Sequence, residues 1–272
     1  MHTLDVPGAR LHYELRGSGP VLAVLGAPMG TSGFTALADL LAADHTVLTY
    51  DPRGTGRTSV ADRTQSTPHE LLADDVAHIL AAVTDEPVAV FGSSGGGSTG
   101  LALVAAHPEQ VRLLVVHESP VISLLDDAED VTAAFDDIYA TYVRAGGAAA
   151  MREFVLTIGV LGADGSRRMQ SKPAPEPRPA PAVPADDNDF FYANQVRETA
   201  RFEPDLTALI ATAIPIVVGV GATSAGQLSH RAALALANRL GQTPVEFPGD
   251  HTGFAGAAAA FADRLRQVLR NA

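Results

Sequence analysis

Short, largely apolar runs alternate with amphipathic stretches along most of this 272-residue chain, and that alternation narrows its architecture more than any other feature. The runs fall at residues 21–25, 46–50, 88–91, 111–116, 214–218 and 245–247. Each is apolar on both faces, as a strand buried within a parallel sheet must be. Helical patterns separate them at 34–43, 68–83, 97–107, 229–240 and 255–269. Strand and helix in alternation predict an α/β fold with a mostly parallel, doubly wound sheet. Ahead of them, residues 3–16 alternate around Pro7-Gly8 and read as a hairpin.

Residues 121–205 break the pattern, for no buried-strand run occurs there. Residues 124–145 read as an acidic amphipathic helix, 148–160 as a more apolar one ended by Gly162, and 189–200 as a third. Between the second and third, residues 172–184 carry alternating prolines that remove backbone donors and fix φ, which predicts an extended segment. The chain therefore divides into a first core part, 1–120, a helical lid or cap, 121–205, and a second core part, 206–272. A decorative surface insertion is the alternative to a lid.

Composition limits the partners. A hydrophobic content of 46% supports a sizeable core, and no apolar run reaches the ~18–20 residues of a membrane span. The net charge of −12 argues against a nucleic-acid partner, which would ask for a basic face. With no cysteine and no signal-peptide pattern at Met1-His2-Thr3-Leu4-Asp5-Val6, a cytoplasmic location is expected. The expected partner is a small-molecule substrate, with a homodimer left open and neither membrane nor nucleic acid involved.

The chemistry concentrates at Phe91-Gly92-Ser93-Ser94-Gly95-Gly96-Gly97-Ser98, between a strand and a helix. G-x-S-x-G fits with Ser94 as the serine. A nucleophile on a strained strand-to-helix turn needs small residues two positions either side, and the helix N-terminus directs backbone N–H groups and partial positive charge toward it. Choosing Ser93 would put Phe91 where a small residue is required. A phosphate-cradling turn is the rival, but neither G-x-G-x-x-G nor G-K-[ST] is present.

With this turn the chain resembles the α/β-hydrolase superfamily along nearly its full length. The family's His-Gly-x-Pro is matched by Leu25-Gly26-Ala27-Pro28, except that Leu25 replaces the histidine. Its Asp-x-Arg-Gly-x-Gly-x-Ser stretch is matched by Asp51-Pro52-Arg53-Gly54-Thr55-Gly56-Arg57-Thr58-Ser59, where Asp51 and Arg53 are expected to staple a loop. The resemblance implies an oxyanion hole made by the backbone amides of Ala27 and Gly95; an ordinary tight loop at Gly26-Ala27-Pro28 is the plainer alternative.

Among nine histidines, His251 stands in Phe247-Pro248-Gly249-Asp250-His251-Thr252-Gly253-Phe254, after the last strand, and resembles the family's Gly-x-His loop. It is the expected general base. His2, His12, His45, His69, His78, His107 and His230 fall in surface or helical contexts; His117 ends a strand and either points into the site or packs. The acid departs from the common pattern. Most members place Asp or Glu after the penultimate strand, but Gly221-Ala222-Thr223-Ser224-Ala225-Gly226-Gln227 holds no carboxylate. Either catalysis is lost or Glu118, in His117-Glu118-Ser119-Pro120, supplies the acid from the preceding strand end, as in certain lactonases of this fold. Glu118 could instead pair with an arginine or cap a loop, and Asp250 is a weaker candidate because neighbouring side chains diverge.

The expected catalytic set is Ser94, His251 and Glu118, acting without metal or organic cofactor on a carboxylic ester or lactone. A serine at the elbow disfavours the epoxide hydrolases and haloalkane dehalogenases of the fold, which use Asp there. Phe154, Leu156, Leu161, Phe190, Phe191 and Tyr192 suggest an apolar pocket beneath the lid, or its fastening to the core. The competing class is a ligand-binding homologue with an impaired triad.

Overall fold

The computed structural model describes residues 1–160 and 162–271. Among these, one sheet is built from β1 (His2–Val6), β2 (Ala9–Arg16), β3 (Val21–Leu25), β4 (Thr46–Asp51), β5 (Ser59–Val60), β6 (Val88–Ser93), β7 (Val111–His117), β8 (Ile216–Gly221) and β9 (Val245–Phe247). The spatial order is β1-β2-β4-β3-β6-β7-β8-β9, with β5 beside β2. The β1–β2 hairpin runs antiparallel and joins β4 antiparallel; every pairing from β4 through β9 is parallel.

The helices are α1 (Thr35–Leu41), α2 (His69–Val83), α3 (Gly95–Ala106), α4 (Ala128–Ala145), α5 (Gly147–Ile158), α6 (Gly162–Ser171), α7 (Asp187–Asn194), α8 (Val196–Arg201), α9 (Leu206–Ala211), α10 (Leu228–Arg239), α11 (Gly253–Gly256) and α12 (Ala258–Asn271). Strand periodicity sorts the core into two layers. Ala23, Leu25, Val88, Val90, Leu114 and Val116 face α2, α3 and α10, whereas Leu22, Val24, Ala89, Phe91, Leu113 and Val115 face α1 and α12. Both faces are covered, which is why the central strands read as continuous apolar runs.

Several boundaries differ from expectation for local reasons. β8 starts at Ile216 rather than at 214, because Pro215 has no N–H to give; its carbonyl accepts from the Leu114 amide at 3.0 Å. The helix expected at 189–200 is two helices, α7 and α8, broken at Gln195, whose side chain donates to the Arg53 carbonyl at 3.2 Å. Residues 172–184 contain neither helix nor strand. α6 starts at Gly162, where the sequence suggested only an end.

Helices α4 to α8 lie between β7 and β8 in sequence, and α4, α5, α7 and α8 share an apolar cluster that includes Phe135, Ile138, Tyr142, Phe191, Tyr192 and Val196. Their C-terminal part is tied to the core. Arg63 donates to the carbonyls of Pro184 and Asp186 at 2.8 and 2.9 Å and lies over the Phe190 ring, and the Gly56 amide meets Asp187 at 2.7 Å. Phe190 packs on Gly54, so it fastens this part to the core. Phe154, Phe191 and Tyr192 pack together inside the insertion instead. Leu156 is half-buried, and Leu161 lies outside the described residues.

Asp51 and Arg53 staple loops. Asp51 accepts from the Thr31 amide and hydroxyl and from the Arg57 amide at 2.8–2.9 Å. Arg53 makes a two-pronged pair with Asp75, both bonds 2.7 Å, and donates to the Pro7 carbonyl. Burial pushes the Asp75 carboxyl above its ordinary value while the guanidinium pulls the other way. Both side chains are buried, so removing one strands the other. Arg53→Leu is expected to cost about 3–5 kcal/mol in urea denaturation, the usual penalty for an orphaned buried charge.

Candidate active site

β6 delivers Ser94 to the carboxyl edge of the sheet, between β3 and β7. Ser94 has φ 54°, ψ −130°, the left-handed half of conformational space, and α3 begins immediately after it. The turn is held open by small residues. A side chain on Gly92 would meet the Gly97 Cα at 2.8 Å, and one on Gly95 would come 2.5 Å from the Ala27 carbonyl. The loop carrying Ala27 thus lies against the first turn of α3. Gly97 donates its amide to the Ser94 carbonyl at 2.8 Å, whereas the Gly95 N–H, at the start of α3, has no intrahelical acceptor and is available to a developing oxyanion. Ser93 is buried and its hydroxyl meets His117 Nδ1 at 3.2 Å, on the opposite side of the strand from its neighbour.

β7 delivers Glu118, also at a left-handed φ of 46°. Non-glycine residues held there cost of order 1–3 kcal/mol each and persist where surrounding contacts over-determine them. Here those contacts are visible. The Glu118 amide donates to the Gly219 carbonyl at 3.1 Å, and the Ser94 amide donates to the His117 carbonyl at 3.0 Å. Serine and glutamate are thereby fixed side by side on adjacent strands.

Glu118 is fully buried, and its two carboxylate oxygens have separate partners. Oε2 lies 2.9 Å from His251 Nδ1. Oε1 accepts the Gly221 amide at 2.8 Å and the Ser224 hydroxyl in a short contact. Burial alone would favour the neutral acid; the hydrogen bonds from His251, Ser224 and Gly221 outweigh it and hold the carboxyl at about 2. With Nδ1 turned to Glu118, the other ring nitrogen of His251 is not engaged by the carboxylate. Ser94 Oγ forms no hydrogen bond to His251 among the described residues; such bonds often tighten only with substrate in place. Asp250 is spent locally, accepting from the Thr252 amide and hydroxyl at 2.8 Å.

The structure thus joins Glu118 to His251 directly and sets Ser94, Ala27 and Gly95 at the same edge. Sequence reasoning missed Gly221 and Ser224, although they sit in the stretch noted for its lack of a carboxylate. A polar residue in that vacancy was the signal. His69, read from sequence as lying in a helical or surface context, opens α2 and packs there, with Nδ1 3.1 Å from the Thr99 hydroxyl, itself bonded to the Gly95 carbonyl.

His117 packs, with its ring among Phe91, Phe247 and Phe261 and 6.5 Å from that of His251. Burial drives the imidazoles of His69 and His117 from 6.5 down to about 4. Between those values the unfolded chain binds more protons than the folded one, so stability rises with pH and is fully present above 6.5. Glu118 contributes in a lower window, present above 4.5 and lost toward 2. Denaturation midpoints measured from pH 4 to 7 should climb, each histidine giving at most about 1.4 kcal/mol per pH unit, and His117→Phe should flatten part of the slope.

Comparison with known proteins agrees with this fold. Residues 19–155 match the model of the α/β hydrolase fold family. The uncharacterized hydrolase YraK of Bacillus subtilis is 32% identical over 98% of this chain and 95% of its own. The structure of a thermophilic esterase from Thermogutta terrifontis superposes with a TM-score of 0.75 at 18% identity, covering 99% of this chain and 98% of the esterase. That of the N-acyl homoserine lactonase AidH gives 0.67 at 16%, covering 99% and 96%. The chain belongs to the α/β-hydrolase fold family and is a hydrolase of that fold. Among the described residues, no helix is long and apolar enough to cross a membrane.

Proposed function

We propose that this chain is a serine hydrolase that cleaves a carboxylic ester or lactone of a small, apolar substrate through an acyl-enzyme. The observation that carries the reading is the Glu118–His251 contact of 2.9 Å beside the strained Ser94 turn. Glu118 fixes the His251 tautomer with its proton on Nδ1, leaving the other nitrogen basic. That nitrogen takes the Ser94 proton as Oγ bonds to the substrate carbonyl carbon, and the carbonyl electron pair moves onto oxygen facing the amides of Ala27 and Gly95. Collapse expels the alkoxide, which receives the proton from His251. Water then repeats the sequence and frees Ser94.

An esterase and a lactonase among the structural neighbours support this bond class. Ala27, uncharged, half-buried and set against Gly95 of the elbow, favours an apolar acyl group. The helical insertion 121–205 is read as a lid over this edge of the sheet. A fluorophosphonate probe tests the reading. Mass spectrometry should find one adduct, on the peptide carrying Ser94; an unlabelled protein would favour a non-hydrolytic, ligand-binding family member.

A further inference from the structure

We infer that Ser224 is a positioning residue for the acid, acting through Glu118 as the side chain that aims one carboxylate oxygen at His251. The inference rests on the serine-hydrolase reading above. It starts from where the hydroxyl lies. Ser224 is fully buried, on the turn after β8, and its Oγ has two oxygens within reach, Glu118 Oε1 and the Gly221 carbonyl at 2.9 Å. A hydroxyl has one proton, and the ionised carboxylate is the stronger acceptor. The Ser224 proton therefore goes to Glu118.

The consequence is geometric. A carboxylate can turn about its last side-chain bond, and a histidine on one oxygen alone leaves that rotation loose. Here Oε1 is gripped by two donors from one turn, the Gly221 amide and the Ser224 hydroxyl, so Oε2 has a single direction, toward His251 Nδ1. The turn is shaped for this. A side chain on Gly221 would collide with the Asp250 backbone at 2.8 Å and with Ser224 Oγ at 2.9 Å. The Ser224 amide and carbonyl are bonded within the turn, to the Gly221 carbonyl and the Gln227 amide, which fixes the hydroxyl in place. The turn after β8 lacks an acid but holds the one that β7 supplies.

The test compares Ser224→Ala and Ser224→Cys in two backgrounds. Cysteine preserves the packing but is a weak donor, so it separates the lost bond from a lost atom. With p-nitrophenyl acetate, both variants should lower kcat about 10-fold, the order of one charge-assisted hydrogen bond, and leave KM within about twofold. The rate constant of fluorophosphonate labelling should fall in parallel. In a Glu118→Gln background the same substitutions should change labelling less than about twofold, because residues acting as one unit are not additive. Wild-type rates in Ser224→Cys, or an undiminished loss in the Glu118→Gln background, would overturn the inference. Failure of the enzymatic reading is separate, since it would show as a Ser94→Ala protein with undiminished turnover.

Discussion

Replacing Ser94 with alanine is expected to reduce kcat/KM toward p-nitrophenyl esters by about 10⁴–10⁶-fold, the range seen when a serine nucleophile is deleted from a triad. The loss should be nearly all in kcat, because the proposed oxyanion donors, the Ala27 and Gly95 amides, do not depend on the Ser94 side chain. The fold should survive. Ser94 contributes its amide to the His117 carbonyl and its carbonyl to the Gly97 amide, and alanine keeps both. A circular dichroism melt should therefore move little. Ser94→Gly sharpens the point. Glycine adopts φ 54° without strain, so that variant should be equally inactive yet more stable than wild type by about 1 kcal/mol. Undiminished turnover in either variant would remove Ser94 from the mechanism.

Glu118→Gln should be almost as damaging, lowering kcat about 10³–10⁴-fold while leaving the nucleophile in place. The reason lies in donor bookkeeping. The amide oxygen of glutamine must stay where Oε1 is, since two donors, Gly221 N–H and Ser224 O–H, point there. The amide nitrogen then faces His251 Nδ1 at the position of Oε2. Two N–H groups cannot share that contact, so the histidine moves its proton to the other nitrogen and ceases to be a base toward Ser94. Glutamine has nearly the shape of glutamate, so a folded but inactive protein separates this tautomer effect from disruption. Normal kcat in a folded Glu118→Gln variant would send the acid role elsewhere, with Asp250 the next residue to change.

Much of the framework was legible because it rests on periodicities the chain displays openly. Strands buried on both faces appear as apolar runs, and the elbow appears as small residues at fixed offsets. Ser94 and His251 follow from short, local patterns. What the linear order could not give was the partnership between Glu118 and the turn after β8. That contact depends on two strands, β7 and β8, being neighbours although the whole helical insertion separates them in sequence. Pro215 and Gln195 illustrate the smaller misses. One delays a strand because its nitrogen has no proton, and the other interrupts a helix because its side chain is claimed by the Arg53 carbonyl. The aromatics of the helical insertion show the opposite effect, since residues that look available for a pocket are largely spent on the insertion's own interior.

The grip on Glu118 also bears on when the chain becomes competent during folding. The elbow and the glutamate belong to the first half of the sequence, yet among the described residues every hydrogen-bond partner of the carboxylate comes from residues 221, 224 and 251. A partly folded intermediate with β3, β6 and β7 assembled but β8 undocked would present a carboxylate at a strand end with nothing to satisfy it, and burial there would be costly. In such an intermediate that edge of the sheet would stay wet and the Glu118–His251 contact would be unmade. If Glu118 and His251 act together as proposed, hydrolytic competence is expected only once these longest-range contacts have formed.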